Sequence, residues 1–150
     1  MPRRVLALDL GTARTGVAVS DATATLARPL ETVAAGDHAR IAALVDAEEV
    51  GLVLVGLPRN MDGSRGPAAR AAEAEAAVLG AALPVPVQLV DERLTTVSAD
   101  RALRASGRGG RARRRIVDQV AATVLLQGWL DGAAGAAWRA ANPTPGQAPN

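Results

Sequence analysis

The chain has 150 residues, 49% of them hydrophobic and 21% charged, the profile of a globular domain rather than a disordered or fibrous chain. It holds 34 Ala and 17 Arg but no Lys, Cys, Phe or Tyr, and a single His, His38; this excludes a disulfide scaffold, a thiol nucleophile and any Cys- or His-rich metal centre. The net charge is +2, and the pI of 10.8 mostly reports that nothing but arginine titrates at high pH.

The length suits one domain that buries roughly 70% of its unfolded surface. Val5-Leu6-Ala7-Leu8 is a short apolar run ending in Asp9, and Gly16 to Ser20 is a second, with Leu10 to Thr15 between them. Two β-prone runs around a glycine-containing turn predict a hairpin. Pro29 to Val33 alternates apolar and polar residues and predicts a third strand. Asp37 reads as an N-cap, because Ile41, Leu44 and Val45 follow at helical spacing. Leu52 to Gly56 is continuously apolar, as in a strand covered on both faces.

Arg59 to Gly66 is a polar, turn-rich loop. Pro67 opens an Ala-rich helix to about Leu83 that turns Val78, Leu79 and Leu83 inward. Val85 to Val90 reads as another strand, whose prolines suit its first residues or an edge. Thr95 or Thr96 caps a helix to about Ser106, and Gly107 to Gly110 reads as flexible. A last helix runs from about Arg113 to Leu130 with Ile116, Val117, Val120, Val124, Leu125 and Trp129 on an apolar face. The expected division is a domain over residues 1–131 and an Ala/Gly/Pro-rich tail over 132–150, with little to pack beyond Trp138 and expected to be mobile, at least after Asn142. The order of elements predicts a mixed α/β sheet led by a hairpin and continued by βαβ crossovers, with helices on its faces.

Three acidic positions stand at the ends of elements. Asp9 ends the first strand, Asp91-Glu92 ends the last, and Asp118 lies on the final helix, where Ala121, Ala122 and Leu125 let that helix approach the sheet. Each has a local reading: Asp9 as a turn acceptor before Gly11, Glu92 paired with Arg93, and Asp118 paired with Arg114 or Arg115. Together they suggest a shared site, since clustered carboxylates repel unless a cation sits among them, and oxygen ligands favour Mg²⁺ or Mn²⁺. Such a site can hold two ions about 4 Å apart for phosphodiester hydrolysis. Asp9 to Gly16 also resembles the first phosphate loop of actin-like ATPases and sugar kinases. Those proteins close two domains over a nucleotide, for which this chain is too short.

The motifs Leu8-Asp9-Leu10-Gly11, Arg14-x-Gly16-Val17-Ala18-Val19-Ser20-Asp21, Ala27-Arg28-Pro29-Leu30-Glu31-Thr32, Val55 to Ser64, Val90 to Thr96 and Val117 to Ala122 together resemble the YqgF family. Its members are described as pre-16S ribosomal RNA nucleases and Holliday-junction-resolvase-like proteins. The resemblance implies an RNase H-like α/β fold, with a five-stranded mixed sheet led by an antiparallel hairpin and flanked by helices on both faces. It also implies a divalent-metal nuclease whose acidic residues correspond to Asp9, Glu92 and Asp118. Thr15 stands where an aliphatic residue is usual, and the basic stretch before Asp118 is all Arg. Neither departure touches a carboxylate.

Arg14 and Arg93 lie close in sequence to Asp9 and Glu92, so each can contact a substrate phosphate or hold a carboxylate in place. Arg101, Arg104, Arg108, Arg111, Arg113, Arg114 and Arg115 fall in a stretch without an acid, the charge pattern of a phosphate-binding surface. With no Phe or Tyr for base stacking, backbone charge and substrate shape should dominate. The expected substrate is therefore structured: an RNA precursor, with 5′-end maturation of pre-16S rRNA implied by the resemblance, or branched DNA. Junction resolution requires two sites and hence a homodimer. A non-catalytic nucleic-acid-binding module of ribosome assembly is the other reading. No segment approaches the roughly 20 apolar residues of a membrane span, and the expected location is cytoplasmic with no membrane partner.

Overall fold

The computed structural model describes residues 3–58, 62–92 and 111–143, and of 111–116 the helical backbone alone. In chain order the elements are β1 (Arg4–Leu10), β2 (Arg14–Ser20), β3 (Ala27–Ala34), α1 (His38–Ala47), β4 (Val50–Leu57), α2 (Pro67–Ala82), β5 (Val87–Asp91), α3 (Arg111–Asp131) and α4 (Ala133–Ala141). The strands form one sheet in the order β3-β2-β1-β4-β5. β1 pairs antiparallel with β2, β2 antiparallel with β3, and β4 runs parallel to both β1 and β5. This is the hairpin-led mixed sheet expected from the sequence.

The hairpin turn is tight. Gly11 N–H donates to the Arg14 carbonyl at 2.8 Å, and a Cβ on Gly11 would lie 2.6 Å from that oxygen, so only glycine lets the two backbones meet there. The continuous apolar run of β4 is explained by its place between β1 and β5, with Leu52, Val53, Leu54 and Val55 almost wholly buried. β3 and β5 are the edges, where Pro29 and the prolines before Val87 can omit a ladder donor.

Alternation along the strands divides the core in two. Leu6, Leu8, Val17, Val19, Val53 and Val55 face α1 and α2; Val5, Ala7, Ala18, Leu52 and Leu54 face α3. Each fully buried Leu or Val contributes roughly 1.5–3 kcal/mol, and helices cover both faces. Asp37 caps α1 as expected, its carboxylate accepting from Arg40 N at 3.1 Å.

Two helical expectations are corrected, at Val78 and on the face of α3, and the tail adds a helix. Val78 points outward, 49% exposed, because the buried stripe of α2 runs through Ala69, Ala72, Leu79 and then Leu83, with Ala76 packed beside it, and residue 78 lies about 100° off that line. On α3 the buried stripe is Ala121, Ala122, Leu125, Leu126 and Leu130, while Val117, Val120, Val124 and Trp129 flank it. Small alanines win the inward face because the helix lies close to the sheet. Finally, the Ala/Gly/Pro-rich tail begins with a helix, α4. Trp138 docks it by donating from Nε1 to the Arg3 carbonyl at 2.8 Å, and Arg139 donates from Nη1 to the carbonyls of Ala24 and Leu130, both at 2.9 Å. The helix expected over 95–106, the glycines after it and the tail beyond 143 lie outside the described residues.

Candidate active site

The three expected acids occupy one end of one sheet face. Asp9 closes β1 with the same alternation as Val5 and Ala7, so its side chain is on the face that α3 covers. Glu92 follows β5 two residues after Val90, which packs into that same half of the core. Asp118 lies on α3 itself, one turn before Ala121 and Ala122. Asp9 and Glu92 are buried, at 5% and 1% exposure, whereas Asp118 is half-buried. Because β1, β4 and β5 are parallel, their carboxyl ends share one edge, the usual ligand side of such a sheet.

Two glycines build the site around Asp9. Gly16 is the cross-strand partner of Asp9 on β2. A Cβ on Gly16 would collide with the Asp118 backbone carbonyl and lie 3.1 Å from Asp118 Cβ. On the other side of Asp9 stands β4, where Val55 pairs with Leu8, so Gly56 sits beside Asp9 at a strand spacing of about 4.8 Å. A Cβ there would collide with Glu92 Oε1 and lie 3.1 Å from Leu125 Cδ2. Asp9 therefore stands between two side-chain-free positions. One receives the α3 backbone at Asp118, and the other receives the Glu92 carboxylate.

Gly16 and Gly56 stand inside the motifs quoted from the sequence, but their place beside Asp9 is not readable from composition or motif spacing. The available signal was a glycine interrupting an apolar run at the level of an acid on the neighbouring strand, which needs the register to be read.

Burial pushes the Glu92 carboxyl up to about 7, with the Asp91 carboxylate adding to the rise. Asp91 itself alternates to the opposite face of β5, so of the acidic pair it is Glu92 that enters the site.

Asp118 has a cationic partner among the described residues, Arg14, which was weighed from the sequence as a holder of a carboxylate; the side chains of Arg114 and Arg115 lie outside the described residues. Arg14 Nε donates to Asp118 Oδ2 at 3.0 Å, reaching from the start of β2 across to α3. Further along, Gln119 Nε2 donates to Thr32 Oγ1 at 2.9 Å, and the Gln127 amide accepts from Ala27 N at 2.9 Å and donates to Thr25 O at 3.0 Å. Side chains on α3 thus clip it to β2, to β3 and to the turn between them. Arg111, Arg113, Arg114 and Arg115 lie on its first two turns, on the same helix end as Asp118. Arg93 and the arginines at 101, 104 and 108 lie outside the described residues.

The set fits a hard divalent cation by its donor chemistry, since every donor is a carboxylate oxygen, and the two glycines let Asp118 and Glu92 come up to Asp9. Among the described residues, no three His, Cys, Asp or Glu side chains already close on a common point. The lone His38 is remote from this chemistry, meeting Glu75 of α2 instead. No helix among the described residues is long and apolar enough to cross a membrane.

In solved structures the chain is similar to RuvC of Thermus thermophilus bound to a Holliday junction, with a TM-score of 0.52 at 16% identity over 87% of this chain and 96% of that one. A second T. thermophilus RuvC structure gives 0.50 at 17% identity, over 94% and 97% of the two chains. These likenesses show an RNase H-like fold. In sequence it is 54% identical over 136 residues to a protein of Thermobifida fusca, covering 84% of this chain and 86% of that one. It is 51% identical over 133 residues to one of an Anaeromyxobacter species, covering 86% and 97%. Both relatives carry the name "Putative pre-16S rRNA nuclease". The model of the RuvX family, described as Holliday junction resolvase, matches residues 3–132, and the chain belongs to this RuvX/YqgF family.

Proposed function

We propose that the chain is a divalent-metal-dependent endonuclease that hydrolyses phosphodiester bonds in structured nucleic acid, with the 5′ end of pre-16S rRNA as its substrate. The observation that carries the reading is Asp9 set between Gly16 and Gly56, with Glu92 and the Asp118 turn of α3 brought into the two gaps. Nothing in core packing calls for two buried acids at a strand end, where their desolvation is costly. The names of the family's relatives support the RNA substrate.

Asp9, Glu92 and Asp118 would hold Mg²⁺ or Mn²⁺. Such a cation, when bound, lowers the pKa of water and stabilises charge on the scissile phosphate and leaving oxygen. Arg111, Arg113, Arg114 and Arg115, with Arg93, supply guanidiniums for the flanking phosphates. Work in the cytoplasm is the setting this substrate implies. The family description favours a second substrate, a four-way DNA junction, whose symmetric cleavage needs a dimer.

Cleavage of a pre-16S rRNA 5′ fragment and of a four-way junction, side by side in Mg²⁺ and in EDTA, tests the reading. Metal-dependent cutting of the RNA at one position is expected. Cutting of the junction alone would move the activity to DNA, and cutting of neither, with tight RNA binding retained, would make the chain a binding module.

A further inference from the structure

Arg14 is placed to serve both as an ion-pair partner of Asp118 and as a phosphate ligand. It begins β2, five residues from Asp9, and its guanidinium crosses to Asp118 on α3. Both side chains are about a quarter exposed, so the pair is partly screened by water and holds only modestly. The two ends differ in freedom. The Asp118 backbone is fixed over Gly16, whereas Arg14 is a long side chain next to a hairpin turn, so a change of partner moves the arginine.

We infer that Arg14 holds Asp118 only while no divalent cation does: the cation takes the Asp118 carboxylate, and the released Arg14 guanidinium turns to a substrate phosphate. This rests on the metal-site reading above and adds an order of events to it. It explains why no three acids converge among the described residues, since one of the three is turned to an arginine. The charges agree. With all three carboxylates ionised, the form in which they would hold a cation, they and Arg14 sum to −2, and one divalent cation brings the sum to zero. The carboxylates then no longer need the arginine, and a doubly charged ion outcompetes a singly charged one at similar distance. A guanidinium beside a neutralised site is a bidentate ligand for a phosphodiester. Metal loading would thus switch on phosphate capture.

The test uses the full chain. Mn²⁺ is titrated calorimetrically into wild type, Arg14→Gln, Arg14→Lys and Asp9→Asn, and binding of a labelled RNA hairpin is measured with and without Ca²⁺. Arg14→Gln should bind Mn²⁺ about fivefold tighter, the equivalent of roughly 1 kcal/mol for a pair of this exposure. It should also lose the part of RNA affinity that Ca²⁺ adds. Arg14→Lys, still cationic but without the fork, should fall between.

A second readout needs no folded glutamine variant. In wild type the Arg14 Nε–H resonance, assigned by its loss in Arg14→Lys, should move and exchange faster when Mg²⁺ is added. An unmoved resonance, or unchanged or weaker Mn²⁺ binding by folded Arg14→Gln, overturns the inference while the metal site stands, provided Asp9→Asn still weakens Mn²⁺ binding. If wild type takes up no Mn²⁺ at millimolar concentration, the metal-site reading itself falls and the inference with it.

Discussion

At the scale of single residues, the two glycines separate effects that look alike. A methyl on Gly16 runs into backbone, the Asp118 carbonyl, which can yield only by lifting α3; a methyl on Gly56 meets the end of a side chain, Glu92. Gly16→Ala should therefore lower stability by about 2–3 kcal/mol, in the range of overpacking, read as the shift in a urea midpoint. Gly56→Ala should cost less stability but displace the Glu92 carboxylate and slow cleavage. Equal losses of stability in the two variants would contradict this. Glu92 offers a pH test. Its folded carboxyl is raised from an ordinary 4.5 to about 7, chiefly by burial. Between those values the folded state holds a proton that the unfolded state has lost, so in EDTA this group's contribution makes stability fall as pH rises through that window. Glu92→Gln should remove that slope and leave the metal-free protein more stable than wild type at pH 8, by up to roughly 3 kcal/mol at 1.36 kcal/mol per pKa unit. A variant less stable than wild type at pH 8 would show that Glu92 is held by favourable contacts when ionised. The acids themselves were legible in the sequence because each interrupts or ends an apolar run. Their glycine cradles were not, since neither Gly16 nor Gly56 signals anything until register sets it beside Asp9.

At the scale of elements, the sequence told strands well and helix faces less well. The continuous run of Leu52 to Gly56 could only be a covered strand, and Asp37 with Ile41 marked a helix start from local chemistry alone. In α2 the abundance of alanine defeats a reading by hydrophobic bulk, since Val78 was expected inward and is outside, while in α3 the close approach expected at Ala121, Ala122 and Leu125 is found, all three being buried against the sheet. Alanine carries little hydrophobic signal but permits the closest approach, so in this chain the smallest residues mark the contact. The tail's one packing signal was Trp138, and mobility was expected at least after Asn142. A stretch of Ala and Gly after Gly132 looks unstructured until Trp138 and Arg139 find backbone carbonyls of Arg3, Ala24 and Leu130. Trp138→Ala should lower stability by about 2 kcal/mol, less than the 3–5 kcal/mol of a wholly buried aromatic, since Trp138 is only half-buried. α4 docks at the amino end of β1, away from Asp9, so cleavage below the melting temperature should be unchanged. Loss of activity in the folded variant would place α4 in the site.

At the scale of the whole molecule, one topological fact joins the sequence to the chemistry. The order β3-β2-β1-β4-β5 puts the carboxyl ends of β1 and β5 on either side of β4, so acids 83 positions apart in sequence, Asp9 and Glu92, meet across a glycine. α3 then adds Asp118 from above. Composition had already narrowed the chemistry to carboxylates, hydroxyls and arginines by removing cysteine, lysine and all but one histidine, and the fold brings the acids to one end of the sheet, which composition cannot. The central claim is that Asp9 is the metal-binding carboxylate of a phosphodiester hydrolase. Its most direct test is the single-turnover cleavage rate of a pre-16S rRNA 5′ fragment by Asp9→Asn against wild type in saturating Mg²⁺, with matched circular dichroism. Loss of a carboxylate that organises transition-state charge predicts a fall of at least about 10³-fold. A folded Asp9→Asn protein that cuts as fast as wild type would contradict it.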